Sequence, residues 1–214
     1  METFLRSLRT GRGRVALIGL ILMPCLVELL LIGADHRLWG SPLWRGLVYQ
    51  YGGFWAGLLR DWQPNYPLQP WVMFLTYALL HAGPGHLVGN MLCLAWLGDL
   101  VAERLGGWGL LRLYALSALG GALAFGLLSH SPAPMVGASG AIFGLAGYLT
   151  LQDAPGRGAK SWGRAGLILL ALILVNLGMW ALQAGNLAWE THLGGTVTGM
   201  GFALYPRLLA KTRS

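Results

Sequence analysis

The 214-residue chain is 55% hydrophobic and only 11% charged, and its 15 Lys and Arg against 8 Asp and Glu give a net charge of +7. A soluble domain carries roughly 25% charged residues, and several apolar runs here are long enough to cross a hydrocarbon layer of about 30 Å, so a soluble globule is excluded. The basic residues sit in short segments between the apolar runs and form no continuous stripe interleaved with aromatics, so the expected surroundings are a lipid bilayer, with no nucleic acid.

At about 20 residues per crossing, the length accommodates about six spans with short loops in a single domain, which predicts an all-α polytopic membrane protein. The segment 1–14 carries Arg6, Arg9, Arg12 and Arg14 and resembles the charged region of a signal peptide. The apolar run that follows is span-length and has no small-residue cleavage site, so a retained first span over 15–33 is expected. Pro24 and Glu28 interrupt that span, and the glutamate is either functional or a polar group paired inside the bundle. Cys25 and Cys93 each lie in an apolar run, with no Cys-x-x-Cys and no Cys/His cluster of ligand spacing, which predicts buried packing residues and no metal or cofactor.

Residues 34–85 form a long first loop. Within it, 45–59 reads as an amphipathic helix lying along the interface, flanked by Arg45 and Arg60. Residues 71–80 are apolar and run into His81-Ala82-Gly83-Pro84-Gly85-His86, a turn that opens the second span. The remaining spans are expected at 86–103, 108–128, 139–152, 165–183 and 189–206, with a tail over 207–214. The fourth is too short to reach across, which predicts that Ser139 at its start lies below the surface in a water-filled cavity.

Counting basic residues over six spans puts twelve on one side: the four N-terminal arginines, Arg104, Arg112, Arg157, Lys160, Arg164, Arg207, Lys211 and Arg213. Arg37, Arg45 and Arg60 fall on the other side. The positive-inside rule then predicts cytoplasmic termini and a Ser139 that opens to the outside.

Ser139 follows the helix breakers of 131–134, so its helix is expected to begin close to it, where unpaired backbone N–H groups can stabilise a developing negative charge. Gly140, Gly144 and Gly147 recur at spacings of four and three and form a smooth face for a second helix. By itself such a serine also reads as a cap or an interhelical hydrogen bonder. His192 heads the sixth span on the same side, with Gly195 and Gly199 below it. Docking the two glycine faces is what brings a serine hydroxyl within about 3 Å of an imidazole. Near the second span, His81, His86 and Asn90 form His-x4-His-x3-Asn, with His86 and Asn90 on one helical face. Structural bonding among the three and a functional role both remain open at this point.

Taken together, His81-x4-His86-x3-Asn90, Gly137-Ala138-Ser139-Gly140 and His192-x2-Gly195-x3-Gly199 resemble the rhomboid intramembrane serine proteases, in order and in placement on the spans. The resemblance implies a six-transmembrane-helix rhomboid-like bundle with a partly membrane-embedded first loop. It also implies a Ser139/His192 dyad, oxyanion stabilisation by His86, Asn90 and the Ser139 N–H, and cleavage of single-span membrane proteins in the cell membrane, the inner membrane if the source is Gram-negative. His81, Gly137, Gly140, Phe143, Gly195 and Gly199 are expected in support. A catalytically inactive rhomboid-like protein that binds transmembrane segments is the alternative, and a transporter is disfavoured because no inverted repeat is evident. Three departures stand out. The Trp-Arg pair common before the first histidine is replaced by Trp71-Val72-Met73, with Trp44-Arg45 farther upstream; Phe143 stands for a tyrosine; and Thr191 stands for an alanine. With no carboxylate placed to orient His192, packing by the Phe143 ring is expected to hold the imidazole.

Overall fold

The computed structural model describes residues 2–152, 158–182 and 187–211, with side chains throughout except at 2–10, 12, 182 and 206–211. Arg157 and Arg213 of the charge count therefore lie outside the described residues, as do the side chains of Arg6, Arg9, Arg12, Arg207 and Lys211. The helices are α1 (Glu2–Asp35), α2 (Trp44–Gly52), α3 (Gln69–Thr76), α4 (Pro84–Leu128), α5 (Ser139–Leu151), α6 (Ala159–Leu182) and α7 (Trp189–Lys211). Among the described residues the only extended pairing is an isolated antiparallel bridge between Phe54 and Met135.

Among the described residues, three helices are long and apolar enough to cross a membrane: α1 over Gly13–Asp35, α4, and α6 over Ala159–Ala181. The outward side chains match that setting, because Val15, Leu22, Leu29, Leu92, Trp96, Leu167 and Leu174 are all exposed large hydrophobics. Cys93 belongs to this outer surface and is exposed, not buried as composition suggests. A residue that faces hydrocarbon and one that faces protein are equally apolar in sequence, so position in the run did not separate them.

Helix α4 is 45 residues long and contains one non-helical residue, Gly106, at φ 71° and ψ 179°. Straight, it would span about 68 Å. Its first turn lies against Gly137 through His86. Its last turn lies against Phe54, the bridge partner of Met135, with Phe125 and Phe54 ring centroids 6.0 Å apart. Both ends are thus on one face of the bundle, and α4 folds back on itself at Gly106. The half before Gly106 packs on α1, where Gly98 meets Leu17 and Gly13 meets Ala102; the half after it packs on α5 and α7, where Ser117 meets Gly144 and Gly120 meets Thr198.

The first loop departs from a continuous amphipathic helix over 45–59. Helix α2 stops at Gly52, Phe54 turns inward to full burial, and a short 3₁₀ turn covers Ala56–Leu59. The bridge to Met135 diverts the chain, since its backbone bonds, Phe54 N to Met135 O at 3.0 Å and Met135 N to Phe54 O at 2.9 Å, compete with helical ones. Two arginines tie the loop down. Arg60 donates to the carbonyls of Gly126 and Ser129 at the end of α4, at 3.3 and 2.7 Å. Arg45 pairs with the fully buried Glu28 at 2.9 Å and with Asp35 at 2.7 Å. Glu28 is therefore a paired interior group, and deleting one partner of such a pair typically costs about 3–5 kcal/mol.

Candidate active site

Three backbone contacts set the start of α5. The segment leading to it is held by the bridge at Met135 and by Gly137 N donating to Tyr77 O at 3.0 Å. Gly137 has φ 127°, which only glycine adopts readily, and any Cβ there would sit 2.7 Å from Cε1 of His86. This turn makes Ser139 the first residue of α5, where the leading N–H groups have no intrahelical partner.

Helix α5 is apolar on every side and buried on nearly every side, as a helix enclosed by others must be. Its glycines let α7 approach until backbone meets backbone. A Cβ on Gly195 would collide with the Gly140 carbonyl, one on Gly199 with the Gly144 carbonyl, and one on Gly147 with the Thr196 carbonyl. That approach seats His192, 2% exposed, beside the serine, with Nε2 2.8 Å from Ser139 Oγ. The Phe143 ring stacks on the imidazole at 4.2 Å between centroids and 4° between planes. The phenylalanine therefore keeps the packing surface a tyrosine ring would offer. Thr191 is buried beside His192, and its hydroxyl occupies the space a Cβ on Gly121 or Gly140 would need.

The structure also brings His86 and His81 together, with ring centroids 5.2 Å apart. His86 Nδ1 accepts from Ala82 N at 3.2 Å, so in a neutral ring Nε2 carries the proton, on the side facing Gly137. Asn90 donates from Nδ2 to the His86 carbonyl at 2.9 Å, and its buried Oδ1 has no partner among the described residues. His81 is fully buried. Burial, and then the neighbouring His86, push its pKa down to about 4, so it is neutral at physiological pH. Its carbonyl accepts from Arg45 Nη1 at 3.3 Å and from the Tyr49 hydroxyl, so the upstream Trp44-Arg45 segment anchors this end of the loop.

One contact had not been foreseen. Asn176 of α6 places Oδ1 2.6 Å from His192 Nδ1. The available signal was an amide in the middle of the apolar run of 165–183, which is expensive in a membrane unless it is paired or working. Between α6 and α7 lies a cavity of about 670 Å³, whose apolar walls include Leu172, Ile173, Trp180 and Met200 and whose polar lining includes Asn176 and His192. No group of three or more His, Cys, Asp or Glu among the described residues is placed to hold a metal ion.

Fold and site together define a membrane-embedded helical bundle in which a half-buried serine at the start of a short central helix meets a buried histidine of α7. The Rhomboid domain family matches residues 68–207. Rhomboid protease GluP of Bacillus subtilis (strain 168) is 34% identical over 130 residues, covering 60% of this chain and 25% of that relative, so the chain spans about a quarter of that protein's length. The chain belongs to the rhomboid family.

Proposed function

We propose that this protein is an intramembrane serine endopeptidase that hydrolyses transmembrane segments of single-span membrane proteins, with Ser139 as nucleophile and His192 as general base. The observation that carries the reading is the 2.8 Å contact from His192 Nε2 to Ser139 Oγ inside a membrane bundle. A neutral imidazole at that distance accepts the hydroxyl proton as Oγ attacks a substrate carbonyl, then returns it to the leaving amine. The acyl-serine is released when water, deprotonated by the same imidazole, attacks it. The oxyanion would meet the Ser139 N–H and the Nε2–H of His86, with Asn90 nearby on the same helix face; each well-aimed donor is worth about 3–4 kcal/mol of barrier.

A transmembrane helix hides its carbonyls in its own hydrogen bonds, so attack requires local unwinding. Segments with Gly, Pro or polar residues near a small residue are the favoured substrates, because they unwind cheaply and fit a site walled by close-packed helices. The basic-residue count supports cytoplasmic termini and a site that opens outward.

The test is labelling of purified protein with a fluorophosphonate probe. We expect labelling of wild type at Ser139, and none for Ser139→Ala. Equal labelling of that variant would defeat the assignment.

A further inference from the structure

Asn176 Oδ1 lies 2.6 Å from His192 Nδ1, while Asn176 Nδ2 donates to the Leu172 carbonyl one turn earlier in α6 at 3.1 Å. The second bond fixes which way the amide points. Flipped, its oxygen would face the Leu172 carbonyl, two acceptors in contact with no proton between them. With the amide so oriented, Oδ1 can only accept, and Nδ1 must hold the ring proton. Nε2 is then the nitrogen with the free lone pair, and it is the nitrogen that faces Ser139 Oγ.

We infer that Asn176 is a positioning residue for the base. It selects the Nδ1–H form of His192 and fixes the ring azimuth, completing a Ser139–His192–Asn176 relay in which the amide stands where serine proteases of the triad type place a carboxylate. This rests on the reading of Ser139 and His192 as nucleophile and base. Phe143 cannot do the same task, since a stacked ring restrains the plane of the imidazole and leaves both protonation patterns equally allowed. Asn176 and His192 also share the wall of the α6–α7 cavity, so displacing α6 from α7 removes the acceptor and unlocks the base.

The experiment compares wild type with Asn176→Leu, which keeps the volume and removes the acceptor, and Asn176→Asp, which keeps an acceptor oxygen. Two readouts are taken on the full chain in detergent or bilayer: kcat and KM on a single-span substrate, and ¹⁵N shifts of labelled histidine, with the His192 signals assigned from His192→Ala. We expect Asn176→Leu to lower kcat by roughly ten- to a hundredfold with KM within about twofold. Its His192 signals should move from a single Nδ1–H form to a mixture, and Asn176→Asp should restore both. An Asn176→Leu protein with wild-type kcat or an unmixed Nδ1–H ring would overturn the inference, as would a loss confined to KM and thermal stability. The protonation pattern is read without turnover. A wild-type protein that cleaves nothing would therefore sink the proposed function, while the spectra would still decide whether Asn176 fixes the ring.

Discussion

Helices α5 and α6 are both strongly apolar, yet they occupy opposite environments. Nine of the thirteen residues of α5 are buried, whereas Leu167, Leu170, Ile173, Leu174, Val175 and Leu177 of α6 are all exposed. What differs is size. Gly140, Ala141, Gly144, Ala146 and Gly147 let α4 and α7 close on α5, while the leucines of α6 hold neighbours at a distance and serve equally well against lipid tails. In a bilayer, association follows small residues and polar pairing, so the tightly packed helix can carry a precise reacting group and the loosely packed one can carry a group whose contact depends on where the helix sits.

That contrast can be attacked from the packed side first. Gly199→Leu should force α7 off the Gly144 carbonyl, at a cost of about 3 kcal/mol or more. Thermal unfolding should fall sharply and proteolysis should vanish; a stable, active variant would mean that backbone contact between α5 and α7 is not what seats His192. A smaller effect is expected at Phe143, whose ring stacks on the imidazole. Phe143→Leu forfeits a ring pair worth about 0.5–1.5 kcal/mol, so kcat should drop by roughly tenfold or less with the fold intact. A thousandfold loss would show the ring doing more than packing. The smallest effect belongs to α6: Leu174, 58% exposed, should tolerate alanine within about 0.5 kcal/mol in thermal unfolding and without change in cleavage.

Which parts could be read from the sequence follows from the range of each interaction. The start of α5 at Ser139 and the matched faces of Gly140, Gly144, Gly195 and Gly199 are local and periodic, and the structure docks them as their spacing suggests. The fold-back at Gly106 lies between the expected spans 86–103 and 108–128, where the apolar runs leave room for a turn. Glu28 and Arg45, by contrast, are separated by 17 positions and an irregular loop, and no period connects them. Asn176 is 16 residues before His192, on a helix whose other side chains carry no polar pattern, so its partner was not visible until the helices were placed. The break in the loop after α2 arises from pairing between Phe54 and Met135, far apart in the chain and without any strand-like alternation to announce them.

Under the proposed function Ser139 and His192 act as one chemical unit, a coupling that can be broken from either side. It is tested most directly by reconstituting wild type, Ser139→Ala and His192→Ala in liposomes with a single-span substrate bearing a Gly- or Pro-containing segment and measuring the cleavage rate. Each variant, folded and inserted as wild type is, should lose cleavage by at least about a thousandfold; a rate within a few-fold of wild type for either one would show that the two side chains do not work together.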